Sequence, residues 1–81
     1  MNDIKNDSSG KAYVEVPTAG GEHVRVTLVP ADDGGYGQDS VRVQIRDAKG
    51  HLRQGPELPV ACIGDLVGAL VAVVIEGAQH G

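Results

Sequence analysis

Apolar and polar positions alternate along three stretches of the chain, at residues 12–16, 23–29 and 40–47. A two-residue period is typical of strands that bury one face. The Asp-Ala-Lys-Gly sequence at residues 47–50 is typical of a tight turn, because aspartate favours its first position and glycine its last. Alternation resumes around a Gly-Pro break within residues 51–60, which indicates a broken strand at a sheet edge. The pattern therefore predicts four antiparallel strands in chain order.

The period lengthens to that of a helix after residue 62. Asp65 lies in the expected first turn, where the helix dipole favours an anion, and Gly77 is the expected stop. The competing interpretation is a strand over residues 70–75, because β-branched residues are concentrated there. Length and a six-position match to the helical template favour a helix. The six apolar positions are Ile63, Leu66, Val67, Leu70, Val71 and Val74.

These elements predict an α+β fold: a four-stranded antiparallel meander with one C-terminal helix packed on one face. Residues 11–77 are expected to form the single domain, since a chain of 81 residues has room for only one. The polar residues 1–10 predict a disordered N-terminal arm, and residues 78–81 a C-terminal tail. The acidic, glycine-rich connection at residues 30–39 is longer than a hairpin needs and is typical of a mobile loop.

The composition limits what the core can be. The chain has no Phe or Trp and only two Tyr, so Val, Leu, Ile and Ala must fill the interior. A domain of this size buries a modest share of its surface and lies near the limit of independent stability. We therefore expect a second copy or a partner surface to complete the core.

The side of the helix opposite the apolar stripe carries small residues where a solvated helix would carry Lys and Glu. Glycine in a helix interior costs about 1 kcal/mol relative to alanine, so its use there suggests close packing. We interpret this helix as an interface, either of a homodimer or with a partner protein. The alternative is that these small residues are neutral surface positions. The predicted interface residues are Ile63, Gly64, Leu66, Val67, Gly68, Val71, Ala72 and Ile75.

Charge is distributed unevenly along the chain. Residues 1–40 carry three basic and seven acidic side chains, whereas residues 41–81 carry four of each, for a net charge of −4. An acidic domain is a poor general binder of nucleic acid, but a cationic sheet face would contact phosphates. The scarcity of stacking aromatics and the nearby carboxylates instead favour a solvated face of mixed ion pairs. The candidate nucleic-acid face consists of Arg25, Arg42, Arg46, Lys49 and Arg53.

A catalytic or metal-binding function has little support in the sequence. Asp32, Asp33 and Asp39 lie close together, but their spacing matches no EF-hand loop, and the three histidines show no ligand spacing. Cys62 precedes the helix, where its thiolate would be favoured, yet no motif places a base beside it, so a buried structural cysteine is favoured. The glycines at residues 34, 35 and 37 do not precede a helix, so they are not a phosphate loop. We expect no enzyme activity, no metal and no cofactor.

The sequence also bears on location. A single cysteine excludes an intramolecular disulfide and is typical of a reducing compartment. The first residues lack the apolar segment of a signal peptide. The longest mostly apolar stretch, residues 66–75, has ten residues, whereas a membrane-spanning helix needs roughly 20. We expect a cytoplasmic protein that does not contact a membrane.

The hairpin and helix resemble those of a family of short actinobacterial proteins of unknown function, which are commonly encoded beside helix-turn-helix regulators. The Arg-Asp-Ala-Lys sequence at 46–49, where that family has Arg-Asp-Ser-Lys, together with Gly55-Pro56, Leu58 and Gly77, is similar to the family's C-terminal pattern. The Ser-Ser-Gly at 8–10 and Val-Glu-Val at 14–16 are similar to its opening. The resemblance implies a small acidic partner that modulates a DNA-binding regulator.

The order of elements also resembles a transcriptional-coactivator family that binds single-stranded DNA and dimerises through its helix. The similarity covers four antiparallel strands, a helix and the edge at residues 50–58, whereas the basic and aromatic residues that hold DNA in that family are mostly missing here. The favoured function is a non-enzymatic protein-interaction module, a small acidic regulatory partner of a DNA-binding transcription regulator. The alternative is a single-stranded nucleic-acid-binding protein that uses the arginine-bearing sheet face.

Overall fold

A computed structural model of the chain describes residues 3–33 and 37–80 and shows an antiparallel sheet followed by one long helix. The α+β class is therefore confirmed. In chain order the elements are β1 (Lys5–Asn6), β2 (Ala12–Pro17), β3 (His23–Val29), β4 (Ser40–Arg46), β5 (Leu52–Arg53), β6 (Glu57–Pro59) and α1 (Ile63–His80), with short 3₁₀ helices at Ala19–Gly21 and Val60–Cys62.

The sheet is a meander in which β1 to β5 lie side by side in chain order. Strands β5 and β6 both pair with β4. Strand β5 pairs with the C-terminal end of β4, and β6 pairs with its N-terminal end. Between β5 and β6 the chain stays close to β4, because the Val43 N–H donates to the Pro56 carbonyl oxygen at 2.9 Å. The predicted broken edge strand is therefore confirmed. The described residues form six strands rather than the predicted four, because the break makes two strands and β1 adds another.

Strand β1 lies within the segment that the sequence analysis treated as a disordered arm. Lys5 and Asn6 pair with Tyr13 and Ala12 of β2, so this part of residues 1–10 belongs to the sheet. The turn between β1 and β2 is closed by the Gly10 N–H, which donates to the Asp7 carbonyl oxygen at 2.9 Å. A two-residue strand is too short to show any periodicity, so composition alone suggested disorder.

The strand register gives the sheet one apolar face. Residues directly opposite one another on neighbouring strands share a face. Three cross-strand rows therefore form what we call the apolar sheet face. The rows are Val14–Val26–Val43, Val16–Val24–Ile45 and Leu28–Val41–Leu58.

The chain buries very little apolar surface by itself. Among the residues that the structure describes, Val29 is the one fully buried apolar side chain, while Thr27, Ser40 and Gln44 are buried polar residues. The valines and leucines of the apolar sheet face are half-buried or exposed. The sheet therefore lacks the second layer that would normally cover such a face.

Helix α1 begins where the sequence predicts, at Ile63, but continues past the expected stop to His80. Gly77 lies inside the helix, and its backbone is not among those with positive φ. Glycine lowers helix stability without forbidding the conformation, so it did not end the helix here. The tail predicted at residues 78–81 is helical over its described part.

The prediction that the helix packs on one face of the sheet is wrong. Helix α1 packs mainly against the 3₁₀ helix that precedes it, and every residue from 67 to 79 is exposed. The radius of gyration is 14.2 Å, compared with about 12 Å for a compact chain of this length. The periodic pattern showed that the helix needs cover, but it contains no information about which surface supplies it.

Candidate interaction surface

The most exposed apolar surface in the described part of the chain lies on α1. Leu70 is 59% exposed, Val73 71% and Val74 70%. Val67, Val71 and Ile75 are each more than half exposed. Contiguous apolar surface of this kind is rare on monomeric soluble proteins and marks sites of protein or membrane contact.

The predicted interface residues all lie on this helix. Ile63 and Leu66 are half-buried at its first turn, and the other six are exposed. The small residues have no packing partner within the chain, because a β-carbon added at Gly64 or Gly68 would meet open space. The packing reason that the sequence suggested for Gly68 is therefore not found inside this chain.

A second uncovered apolar surface lies on the sheet. The apolar sheet face forms a shallow depression towards its β2 side, and Leu28 and Val16 are each 44% exposed. Sequence reasoning missed Ile4, which comes just before β1 and lines this depression; its apolar side chain in a polar segment was the available signal. The lining residues include Ile4, Ala12, Val14, Val26, Leu28 and Val41.

The opposite face of the sheet carries an ion-pair network centred on Glu15. The Glu15 Oε2 atom accepts from Arg46 Nε at 3.0 Å and lies 3.5 Å from Arg25 Nη1. The Arg25 guanidinium also lies 3.8 Å from the centre of the Tyr13 ring. This cation–π contact covers one face of the Tyr13 ring, a face on which a nucleic-acid base could otherwise stack.

Two further candidate cations also have carboxylate partners. Arg42 Nη2 lies 3.1 Å from Glu57 Oε1, and Arg53 Nη2 lies 3.0 Å from Glu22 Oε2. Lys49 is exposed in the turn after β4. The structure thus places the four arginines beside carboxylates of neighbouring strands and loops, and a phosphate would have to compete with those carboxylates.

Two carboxylates of the acidic connection between β3 and β4 have partners, one within the connection and one outside it. Asp39 Oδ1 accepts from the Ala31 N–H at 3.0 Å, and Asp33 Oδ2 lies 3.4 Å from Lys11 Nζ.

Across residues 3–33 and 37–80, no three His, Cys, Asp or Glu side chains are grouped so that they could hold a metal ion. Cys62 is half-buried rather than fully buried. Two of the glycines considered for a phosphate loop, at 34 and 35, lie outside the described residues.

Two aspartates have their pKa values lowered by turn geometry. The pKa of Asp47 lies below its ordinary value of 3.8, chiefly because the His51 N–H donates to its carboxylate and also because the Lys49 N–H does. The pKa of Asp7 is lowered in the same way, chiefly by the Lys11 N–H. Both carboxylates stabilise turns, which accounts for the shift without a catalytic role.

Helix α1 with the preceding 3₁₀ helix is also long and apolar enough to cross a bilayer, judged by length and composition. The segment Val60–Gln79 has a mean hydropathy of 2.1, and it is the one such segment in the described part of the chain. The mostly apolar stretch at residues 66–75, on which a membrane-spanning helix was judged too short, is only part of α1, because the helix also includes the glycines and carboxylates on either side of that stretch. Length therefore does not exclude a membrane-spanning helix.

The spacing of the two carboxylates on α1 argues against spanning. Asp65 and Glu76 are eleven residues apart, which places them about 16 Å apart along the helix axis. The hydrocarbon core of a bilayer is about 30 Å thick, so a spanning helix would hold at least one carboxylate inside it. Ionisable groups at that depth are costly.

No known protein family, curated protein or solved structure matches this chain. The fold and the surfaces above define a class: a small α+β protein with an open antiparallel sheet and an exposed apolar helix.

Proposed function

We propose that this chain is a non-enzymatic protein-interaction module that acts as a small acidic regulatory partner of a DNA-binding transcription regulator. The observation that carries the proposal is the exposed part of the apolar stripe of α1, which consists of Val67, Leu70, Val71 and Val74. An amphipathic helix that enters a groove of its partner through residues at i, i+3, i+4 and i+7 is a common form of protein recognition.

The charge of the chain supports a basic partner. The net charge is −4, and all of the excess lies in residues 1–40. Proteins that bind DNA carry clustered cations, and a complementary acidic surface accelerates association and selects such partners. The resemblance to proteins encoded beside helix-turn-helix regulators suggests the same class of partner. We place the complex in the cytoplasm, where a single unpaired cysteine stays reduced.

The alternative function is single-stranded nucleic-acid binding through Arg25, Arg42, Arg46, Lys49 and Arg53. The specific observation in its favour is that strands β3 and β4 place the first three on one sheet face. The carboxylate partners of the arginines make this the weaker proposal, because phosphate binding would break those ion pairs.

Capture from an extract of the native cell tests the favoured function. Tagged wild-type chain should retain a protein with a DNA-binding domain, identified by mass spectrometry and then reconstituted from purified components. Leu70→Glu should abolish retention, because it places a charge in the centre of the apolar stripe. Ala69→Glu is the matched control, because it adds the same charge at the preceding residue, on the side of the helix that also carries Asp65 and Glu76. This variant should retain the partner. Recovery of the chain alone would contradict the proposal.

A further inference from the structure

The chain exposes two apolar surfaces that could cover each other. One is the stripe of α1 around Leu70, and the other is the apolar sheet face around Val26. In α+β proteins a helix normally covers the apolar face of the sheet. Here both layers are present in one chain, but α1 packs mainly against the 3₁₀ helix before it and its residues 67–79 are exposed.

The two surfaces agree in length. Strands β3 and β4 have seven residues each, which corresponds to about 23 Å. Helix α1 has 18 residues, or about 27 Å. The helix is therefore long enough to cover the full length of the central strands.

The junction between sheet and helix keeps α1 away from its own sheet. The 3₁₀ helix Val60–Cys62 passes directly into α1, since the Ile63 N–H donates to the Val60 carbonyl oxygen. The Val60 N–H in turn donates to the Asp39 carbonyl oxygen at 3.0 Å. Because β6, this 3₁₀ helix and α1 follow one another without loop residues, α1 leaves the sheet at this junction, and a second molecule is the available source of cover for each surface.

The exposed area has the size that a stable dimer requires. The chain has an accessible surface of 5753 Å², whereas a compact protein of its mass has about 4,600 Å². The excess is about 1,100 Å² per chain, so two chains that bury it would form an interface of about 2,200 Å². Obligate homodimers bury about 2,000 Å² or more and are more apolar than transient complexes.

We infer that two copies of this chain associate by exchanging helices, so that α1 of each copy covers the apolar sheet face of the other. This inference builds on the proposed interaction function, and it names a second copy as the occupant of α1 when no regulator is bound. Because both partners would use Leu70, self-association and regulator binding would compete for the same helix. The dimer would then be the form in which the docking helix is masked.

Light scattering on the purified full chain gives the first test. The wild type should have the mass of two chains at micromolar concentration. Leu70→Glu on the helix and Val26→Asp on the sheet should each give the mass of one chain, and Ala69→Glu should remain dimeric. A wild-type monomer would overturn the inference. A Val26→Asp variant that stays dimeric, with its sheet intact by circular dichroism, would also overturn it, because that result fits contact between helices alone.

Cysteine cross-linking gives a second test that does not depend on destabilising variants. In a Cys62→Ser background, a tagged chain with Leu70→Cys is mixed with an untagged chain with Val26→Cys and oxidised. Helix exchange predicts a disulfide between the two chains, and a chain with Lys49→Cys in place of Val26→Cys should not cross-link. A disulfide within a single chain that carries both Leu70→Cys and Val26→Cys would overturn the inference, since α1 would then reach its own sheet.

Two other occupants of α1, a lipid surface and a DNA-binding regulator, are distinguished from a second copy by vesicle flotation and by capture. Flotation of the chain with phosphatidylcholine vesicles, lost in Leu70→Glu, would overturn the inference in favour of a lipid surface. A monomeric chain that still captures a DNA-binding regulator would overturn the inference and leave the proposed function standing. A dimer that captures no regulator at any concentration would support the inference and contradict the proposed function.

Discussion

At the scale of residues, one four-residue pattern explains both ends of the sheet. Of the four Asp-x-x-Gly sequences in the chain, those at residues 7–10 and 47–50 each form a turn between neighbouring strands. In each case the aspartate carboxylate accepts two backbone N–H groups, and the glycine has φ near +90°. The second turn was predicted from sequence and is confirmed. The first was missed because no periodic strand preceded it, although the same pattern was present.

The lowered pKa of Asp47 predicts a stability change in acid. A carboxyl group whose folded pKa lies below its unfolded value stabilises the fold above the unfolded pKa, and that contribution is lost as the pH falls through the folded pKa. For Asp47 the loss should therefore occur below about pH 3.8. Asp47→Asn retains an oxygen acceptor but cannot titrate, so urea unfolding of this variant should show a weaker acid dependence. An unchanged pH profile would contradict the assignment.

Gly55 is required by a close approach of the backbone. A β-carbon at this position would overlap the Val43 carbonyl oxygen, where the chain runs past β4 between β5 and β6. We expect Gly55→Ala to lower the free energy of unfolding by about 1–3 kcal/mol, as other overpacking substitutions do. Urea unfolding at a fixed protein concentration measures this.

The matched control for Gly55 is Gly77→Ala. A β-carbon at Gly77 meets open space, and alanine favours the helix there by up to about 1 kcal/mol. The control should therefore be as stable as the wild type or slightly more stable. Equal stability of the two variants would show that the approach to Val43 does not constrain residue 55.

At the scale of elements, the polar side of β3 and β4 behaves as a closed ion-pair surface. Glu15 lies between Arg25 and Arg46, and Arg42 pairs with Glu57. Because a phosphate must displace a carboxylate at each site, we expect weak binding of single-stranded DNA at low salt. In a filter-binding assay, Arg42→Ala and Arg46→Ala should change that weak binding little. Tight, salt-sensitive binding that both variants abolish would favour the nucleic-acid function instead.

The helix shows where prediction from sequence stops. The six-position apolar pattern correctly gave a helix that begins at Ile63. Its packing on the sheet was inferred from the need to cover an apolar stripe, and the structure shows the helix exposed instead. The path of α1 is set by the 3₁₀ helix at Val60–Cys62 and its hydrogen bond to Asp39. Neither feature has a periodic signature in the sequence.

At the scale of the whole molecule, stability should depend on protein concentration. A chain whose one fully buried apolar residue among those described is Val29 has little core of its own. If association supplies the missing layer, mass action stabilises the folded state as concentration rises. A tenfold increase should raise Tm by about 3–5 °C for a dimer of this size. The measurement is calorimetry at several protein concentrations. The control is Leu70→Glu, whose Tm should not depend on concentration.

The sequence by itself determined the α+β class, the bounds of β3, the turn at residues 47–50, the broken edge strand and the start of α1, because each depends on contacts within a few residues. It also indicated that the core is incomplete, since too few large apolar residues are present to fill one. Only the tertiary structure decided that α1 leaves the sheet and that the arginines pair with carboxylates. The path of α1 depends on the junction at Val60–Cys62, and the ion pairs depend on the register between neighbouring strands. Both bring together residues that are distant in sequence.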